Sequence, residues 1–401
     1  MDKKTPALAF LLALSTSALG HDDRPARYIA REIPAPELHD PLCVPGYATT
    51  QWNVDVNDRR FSAGAAGCYH DEGPNPDGQP NFNMRLLPYA WSPFTGSYLL
   101  PVEPNGTALA LGVDVYGNAY GFQTTTNLDG VKWSPGGGAS VVIGADPICG
   151  FGISFAITAN ARGEIAGQAF RPVPEGYCNV RMLVRKPGGE EVLGPIGGTA
   201  AAINDAGLVA GTINSRAAKW NSRTGEVVML RPESDTELSS ALDMNERGVT
   251  VGQASRADGF DSAACYQKRA LLWDARNRER ELPGLPGSVS NVPNDINGSG
   301  VIVGYATPDV CDSAMGERQR AVVWSDGRVY DLNSLLIGRP GVVLLAAIGI
   351  NERGEIVATG YRAREPKKPC PQPVFPADGT LPYSVDGACH DTHAYLLMPV
   401  D

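Results

Sequence analysis

The sequence predicts an all-β protein, a seven-bladed β-propeller of four-stranded antiparallel blades whose ring is closed by an N-terminal strand. Three observations support this prediction. A short motif recurs along the chain, a tryptophan-containing strand follows most copies, and the last copy lacks a strand that the N-terminal region can supply. Helix-period patterns are missing after the first 20 residues, and 46 glycines and 32 prolines suit a fold with many turns.

The repeated motif consists of an apolar pair, an Asn and a glycine-terminated apolar run, as in ALDMNERGVTVG at 241–252. We call the central residue of each copy the anchor. Successive anchors lie between 41 and 57 residues apart, which is the period of propeller blades. The seven anchors are Asn57, Asp114, Asn160, Asn204, Asn245, Asn297 and Asn351.

A glycine follows the anchor by three residues in six copies, and Arg60 takes this place in the first. Asn tolerates left-handed backbone angles and caps its own turn, while Gly reaches positive φ without a Cβ clash. The motif therefore predicts a tight turn between a first and a second strand. Another glycine follows the anchor by seven residues in six copies, and the seventh copy has Ala358 there.

Each repeat continues with a short apolar segment that ends in an aromatic residue, such as ALLW at 270–273 or AVVW at 321–324. Five of the six tryptophans occupy this place, and Trp52 is the exception. A turn and a short fourth strand follow, such as EVVML at 226–230. One repeat should thus form a four-stranded meander, which cannot bury both of its faces alone and must pack against its neighbours.

The two ends of the chain complement each other. The seventh copy ends in HAYLLMPV at 393–400 and lacks a fourth strand, whereas RYIAREI at 27–33 stands alone ahead of the first copy. If the N-terminal strand completes the last blade, the ring closes and the open edge of that blade is covered.

The combined pattern A-x-x-I-N-x-x-G-x-V-x-G, followed by an apolar-Ala-apolar-apolar-Trp strand, resembles the HAF family of bacterial extracellular repeats. The resemblance covers nearly the whole chain after residue 20, and the fourth to sixth copies match best. It implies a secreted repeat protein. It confers no common activity, so no catalytic residues are transferred and none are predicted.

Residues 1–20 have the pattern of a secretory signal peptide. Lys3 and Lys4 precede an apolar stretch from Ala7 to Leu14, and Ala18-Leu19-Gly20 fits a cleavage site. The run is too short to span a membrane. We therefore expect a single propeller domain at 21–401, secreted or periplasmic and monomeric.

The charge of the chain excludes some partners. The formal net charge of −10 becomes −11 without residues 1–20. This acidity argues against nucleic acid, whose binding requires clustered Lys and Arg. No polybasic run suggests an anionic membrane, so no membrane insertion is expected. The expected partner is an extracellular glycan or protein.

Eight cysteines in a secreted chain suggest four disulfides. In the propeller frame, all eight fall in blade connectors or in loops between strands two and three, and both kinds of loop emerge on one side of the ring. We call this side the loop face, and the opposite side, with the Asn-x-x-Gly turns, the turn face. Zinc binding is the less favoured alternative because no CxxC pair exists. Proximity in this frame predicts the pairs Cys43–Cys68, Cys149–Cys178, Cys265–Cys311 and Cys370–Cys389.

The long loops at 65–88 and 361–393 become neighbours if the ring closes, and they contain CYHDE and CHDTH. The candidate binding residues are therefore His70, Asp71, His390, Asp391 and His393. Imidazole and carboxylate groups suit a divalent metal or proton transfer. Solvated polar loops explain the same residues equally well. No cofactor is expected, and a divalent metal is the open alternative.

Three aspartates, Asp55, Asp243 and Asp295, stand two residues before their anchors. Because they recur at one place in the repeat, a hydrogen-bonding role at the turn is favoured over catalysis.

The favoured function is a non-enzymatic, disulfide-stabilised module that binds a glycan, a protein or an envelope component on the loop face. The alternative is an extracellular hydrolase or lyase that acts on a polysaccharide or lactone. Clustered carboxylates around the central channel would favour the enzyme, and aromatic loop tips would favour binding.

Overall fold

The structure is a computed structural model that describes residues 25–38, 43–74, 80–103, 106–124, 127–149, 152–230, 237–256, 267–308, 318–338, 341–373 and 383–400. The predicted signal peptide lies outside these ranges. The chain forms seven four-stranded antiparallel sheets, which are the blades of a β-propeller. The predicted fold class is therefore confirmed.

The strands follow the order expected from the repeat. The first strand is β1 (Arg27–Ile33). Blade 1 comprises β2 (Thr50–Val56), β3 (Ser62–Pro74), β4 (Pro80–Ser92) and β5 (Gly96–Leu99). Blade 2 comprises β6 (Thr107–Val113), β7 (Ala119–Thr124), β8 (Leu128–Trp133) and β9 (Ala139–Ile143). Blade 3 comprises β10 (Ser154–Ala159), β11 (Ile165–Pro172), β12 (Cys178–Arg185) and β13 (Glu191–Ile196).

Blade 4 comprises β14 (Gly198–Ile203), β15 (Leu208–Ile213), β16 (Arg216–Asn221) and β17 (Val227–Met229). Blade 5 comprises β18 (Glu237–Met244), β19 (Thr250–Arg256), β20 (Lys268–Trp273) and β21 (Glu279–Glu281). Blade 6 comprises β22 (Ser290–Ile296), β23 (Ile302–Thr307), β24 (Arg320–Ser325) and β25 (Arg328–Asp331). In blade 7, β26 (Val342–Ile350) and β27 (Ile356–Arg362) precede a separate hairpin of β28 (Lys368–Pro373) and β29 (Tyr383–Cys389), and β30 (His393–Val400) follows.

Blade 7 is completed by β1, as the ends of the sequence predict. The sheet order is β1-β30-β27-β26, and β1 pairs with β30 from Arg27 opposite Val400 to Ile33 opposite Ala394. Ile33 is fully buried and packs among Val56, Trp91 and Leu396. The N-terminal strand therefore closes the ring both by pairing and by packing against blade 1.

Helix is almost absent from the described residues. Two 3₁₀ helices occur there, at Pro147–Cys149 and Leu332–Leu335. Within the described part of the chain, no helix has the length and apolar character needed to cross a membrane.

The tryptophans of the third strands form much of the packing between blades. Trp91, Trp133, Trp220, Trp273 and Trp324 are all between 0 and 2% exposed. Trp273 of blade 5, for example, packs against Ala217 and Leu230 of blade 4. Burying such large side chains is the main favourable contribution that one blade receives from the next.

Each anchor organises its own turn, as the motif predicts. In blade 4, the Oδ1 atom of Asn204 accepts hydrogen bonds from the backbone N–H groups of Ala206 and Leu208, at 3.1 and 3.0 Å. The glycine three residues after the anchor has positive φ in blades 2 to 7, and in blade 1 Arg60 adopts φ 59°. The turn geometry is therefore kept even where the glycine is replaced.

The anchors also join neighbouring blades, which the sequence did not reveal. Among the described residues, five anchor amides donate from Nδ2 to the backbone carbonyl of the anchor in the following blade. The donors are Asn57, Asn160, Asn245, Asn297 and Asn351. The bond from Asn351 to Asn57, at 3.2 Å, crosses the junction at which the ring closes.

The second glycine of the motif allows a bulge in the first strand. In blades 1 to 6 the register of the first strand shifts directly opposite this glycine. A Cβ atom at Gly252 would lie 2.0 Å from the carbonyl oxygen of Ser240. In blade 7, where Ala358 takes the place, β26 contains two register shifts instead of one. Only a residue without Cβ fits the single bulge, because the two backbones approach too closely there.

Candidate functional site

The predicted disulfides can be checked at three of the four pairs. Cys43–Cys68, Cys149–Cys178 and Cys370–Cys389 are bonded, with Cα separations of 5.6, 5.7 and 5.8 Å. All three lie on the loop face. The fourth predicted pair, Cys265–Cys311, lies outside the described residues and stays a prediction. Three disulfides indicate that the chain folds in an oxidising environment.

Loops of blades 1 and 7 meet on the loop face, as closure of the ring requires. We call this region the seam, formed by residues 43–51, 68–70, 361–373 and 383–393. The backbone N–H of Ala48 donates to the carbonyl of Pro369 at 3.0 Å. The backbone N–H of Thr392 donates to the carbonyl of Thr49 at 3.1 Å. The disulfides Cys43–Cys68 and Cys370–Cys389 flank these contacts. The seam is therefore held by covalent and hydrogen bonds on both sides.

Asp391 has a structural position in the seam. The residue is 4% exposed, and its carboxylate forms an ion pair with Lys368 and accepts a hydrogen bond from the backbone N–H of Thr49 at 2.7 Å. Burial alone would raise the pKa of Asp391, but the bonds from Lys368 and Thr49 prevail and hold it below its ordinary value. The ionised carboxylate of Asp391, which has both Lys368 and Thr49 as donors, is therefore suited to joining blade 7 to blade 1. It is less suited to the role of a proton donor.

The three predicted histidines occupy separate environments. His393 contacts Glu365 through Nε2 at 2.9 Å and Glu32 of β1 through Nδ1 at 3.3 Å. The ring of His390 stacks on Tyr361, with centroids 4.2 Å apart and planes inclined by 11°. His70 is buried beside the disulfide Cys43–Cys68. The side chain of Asp71, the fifth predicted residue, is outside the described part of the structure.

The seam does not bring the four predicted residues with described side chains, His70, His390, Asp391 and His393, into one ligand set. Among the described side chains, one group of three or more His, Cys, Asp or Glu has all its ligand atoms within 4.8 Å of one another. That group is Cys43, Cys68 and His70, and its two sulfur atoms are bonded to each other. His390, Asp391 and His393 therefore share a region but do not form one ligand set.

Aromatic rings are the feature of the seam that the sequence analysis largely missed. The rings of Tyr47 and Tyr69 pack with their centroids 6.2 Å apart, and the ring of Tyr361 stacks on that of His390. All four rings are half-buried. Tyr69 and Tyr361 lie in the predicted loops 65–88 and 361–393, but Tyr47 gave no signal, and nothing in the sequence indicates that rings more than 20 positions apart pack together.

The central channel contains the three repeated aspartates. Residues of the first strand of every blade line a cavity of about 130 Å³, and Asp55, Asp243 and Asp295 face it from blades 1, 5 and 6. Among the described residues that line the cavity, none is basic.

Each of these aspartates accepts a hydrogen bond from the first strand of the following blade. Asp55 accepts from the backbone N–H of Val113 at 3.1 Å, Asp243 from Ile296 at 2.9 Å, and Asp295 from Ile350 at 2.6 Å. The predicted hydrogen-bonding role is thus correct in kind. The partners, however, lie across the blade junctions and not only at the local turn.

Burial of these carboxyl groups affects their protonation. Burial raises the pKa of Asp55 to about 6. Burial, the charge of Asp243 and a hydrogen bond to Asp243 raise the pKa of Asp295 well above its ordinary value. A raised carboxyl pKa means that the folded chain binds protons more tightly than the unfolded chain. The corresponding stability is present below the ordinary carboxyl pKa and is lost as pH rises through about 6 and above.

We expect Asp243→Asn to stabilise the protein at pH 8 and to change its stability little at pH 5. The amide keeps an acceptor for Ile296, and its N–H groups replace charge repulsion with a hydrogen bond to Asp295. The expected gain at pH 8 is on the order of 1 kcal/mol, the usual contribution of one side-chain hydrogen bond. Urea unfolding at pH 5, 6.5 and 8 measures it. Asp326→Asn, in an exposed turn, is the control and should leave the pH profile unchanged. An equal effect of Asp243→Asn at pH 5 and pH 8 would contradict the assignment.

Comparison with known proteins adds little to this geometry. No protein-family model matches the chain, and no curated protein matches it significantly. Among solved structures, it is similar to an oligogalacturonate lyase from Vibrio parahaemolyticus, with 9% identity and a TM-score of 0.44, over 88% of this chain and 98% of the other. A chain of a mitotic checkpoint complex gives 9% identity and 0.42, over 99% of each chain. A luciferin-regenerating enzyme gives 8% and 0.36, over 92% of this chain and 95% of the other. At these values the similarities carry no information about the activity of this chain.

Proposed function

We propose that this protein is a secreted, non-enzymatic binding module that holds a glycan or protein ligand at the seam of the loop face. The observation that carries the proposal is the set of half-buried rings, Tyr47, Tyr69, Tyr361 and His390, on a part of the loop face held by two disulfides. The oxidising environment indicated by the disulfides supports an extracellular role, as does the resemblance to the HAF repeats.

The rings offer flat apolar faces with polar edges. Such groups bury much area while they lose little conformational entropy, because each has only two side-chain torsions. The seam also holds these rings in place before a ligand arrives. Binding then orders fewer groups, and more of the interaction free energy appears as affinity.

The channel carboxylates provide little support for the alternative of a hydrolase or lyase. Both oxygens of Asp55 and of Asp295 accept a backbone N–H group, so each oxygen already has one hydrogen-bond partner within the fold. The cavity of about 130 Å³ is also smaller than the roughly 300–1,000 Å³ of typical ligand sites. These carboxylates therefore suit the joining of blades better than contact with a sugar substrate.

Asp391 is not a suitable position at which to test ligand binding. Asp391→Ala would leave Lys368 and the N–H of Thr49 without their acceptor, so a loss of binding could follow from a loss of folding. Tyr361→Ala and His390→Ala remove half of the ring set and leave this tie intact.

The experiment is a glycan array and a proteomic pull-down with the secreted protein, followed by titration of the strongest ligand. We expect Tyr361→Ala and His390→Ala each to weaken binding about tenfold or more. Tyr177→Ala is the matched control, because Tyr177 is an exposed ring on the loop face at blade 3. Equal affinity of all three variants and the wild type would refute the seam as the site, and turnover of a bound polysaccharide would refute the non-enzymatic role.

A further inference from the structure

The turn face contains a groove at the junction of blades 1 and 2. The groove has a volume of about 600 Å³, and its apolar lining comes from Phe61, Phe94, Tyr98, Tyr116 and Pro135. Phe94 is 92% exposed at the tip of a turn, and Tyr116 is 55% exposed. Phe61 and Tyr98 belong to the packing of this blade junction, whereas Phe94 and Tyr116 expose apolar area above it, and such exposed apolar area marks an interaction surface.

A second cavity, of about 380 Å³, lies on the other side of Phe94. Its lining includes Arg59, Arg60, Arg353 and Asp58. Arg60 and Arg353 share the carboxylate of Glu355, at 2.5 and 3.3 Å. Within the described residues, the guanidinium group of Arg59 has no ion pair or side-chain hydrogen bond.

These arginines give the site a local charge opposite to that of the whole chain. Three guanidinium groups face two carboxylates, those of Asp58 and Glu355, in a protein with a net charge of −10. Guanidinium groups bind carboxylates well because their donors match the geometry of the two oxygens. An apolar cavity directly beside an arginine-lined cavity is complementary to a ligand with an apolar group next to carboxylates.

Apart from Arg59 and Tyr98, the polar side chains that line the groove are already hydrogen-bonded. The Oγ atom of Ser92 shares a hydrogen bond with Thr95 at 2.8 Å, and the hydroxyl of Tyr116 donates to the carbonyl of Ala161 at 2.9 Å. Asn57 uses both its oxygen and its nitrogen in its turn and in the bond to Asp114. A sugar would lose hydration of its hydroxyl groups here with few new partners. A polypeptide side chain without hydroxyl groups avoids that cost.

We propose that this surface, the Phe94 site, docks a polypeptide segment in which an apolar side chain is flanked by Asp or Glu. The apolar side chain enters the groove against Phe94 and Tyr116, and the acidic neighbours pair with Arg59 and Arg353. The Phe94 site is on the face opposite the seam, so this inference does not depend on the proposed function.

The test uses a random dodecapeptide display library with the intact protein as bait. We expect enrichment of sequences with an apolar residue within two positions of Asp or Glu. Fluorescence polarisation of the most enriched peptide should show at least tenfold weaker binding to Phe94→Ala and to Arg59→Glu. Thermal melting of each variant checks folding, and because Phe94 is exposed its removal should leave the melting temperature unchanged.

The chain offers matched controls for both substitutions. Arg247 stands two residues after its anchor, as Arg59 does, and Ile148 is an exposed apolar residue beside Cys149 on the loop face. Arg247→Glu and Ile148→Ala should each change the affinity less than twofold. Enrichment without an acidic bias, or equal binding by Phe94→Ala and the wild type, would overturn the proposal. So would binding of a uronic-acid trisaccharide that Phe94→Ala abolishes while no peptide is enriched.

Discussion

Deletion of residues 21–36 is expected to abolish cooperative unfolding. The deletion removes β1 and with it the seven residue pairs between β1 and β30. It also removes the buried side chains of Tyr28 and Ile33, each of which contributes about 1.5–3 kcal/mol on burial. The hydrogen bonds of the strand add about 1 kcal/mol each. The total loss is comparable with the net stability of a typical domain, about 5–15 kcal/mol.

Circular dichroism melts and size-exclusion chromatography measure this effect. The truncated chain should lose its sharp transition and aggregate through the exposed edge of β30. Deletion of residues 21–24 alone is the control, since it leaves β1 intact. A synthetic peptide of residues 25–38 should restore the transition when it is added in trans. A truncated chain that melts like the intact protein would disprove the closing role of β1.

Gly252→Ala is expected to cost about 3 kcal/mol or more, although it adds a single methyl group. The new Cβ would lie 2.0 Å from the carbonyl oxygen of Ser240, a backbone atom that can move only if the bulge in β18 opens. Overpacking that displaces backbone typically costs 1–3 kcal/mol or more. The loss should appear in urea unfolding as a lower midpoint with an unchanged slope.

Blade 7 provides the internal control for this substitution. Ala358 occupies the equivalent position there, opposite a strand with two register shifts. Ala358→Gly should therefore cost only about 0.5–1 kcal/mol, the usual cost of glycine in a regular element. A Gly252→Ala protein within 1 kcal/mol of the wild type would show that the bulge is more adaptable than its geometry indicates.

The fold could be predicted from the sequence because a motif that indicates the same strands and turn recurs seven times. Asn204 and Gly207 indicate a tight turn from local chemistry alone, and Trp273 indicates a buried third strand. The assignment of the cysteines to the loop face followed from counting strands. The sequence did not show the contacts between repeats, such as the hydrogen bond from Asn351 to Asn57. The repeat pattern describes one blade at a time and does not give the angle between neighbouring blades.

The candidate site was less predictable for the same reason. His390, Asp391 and His393 do lie in the seam, but their partners Tyr361, Lys368 and Glu365 could not be deduced. Long loops have no hydrophobic period, and their packing depends on tertiary contacts alone. The composition of these loops therefore indicated a polar site, whereas their packing produced an aromatic surface.

Tyr116 links the turn-face groove to the integrity of the ring. Asp114 replaces Asn in blade 2 and has no side-chain N–H with which to reach the anchor of blade 3. The hydroxyl of Tyr116 instead donates to the carbonyl of Ala161, at 2.9 Å. A partner that rotates the Tyr116 ring must break this bond, so occupancy of the groove and order at the junction of blades 2 and 3 are energetically coupled. Such coupling is reciprocal: whatever loosens that junction also changes the affinity of the groove.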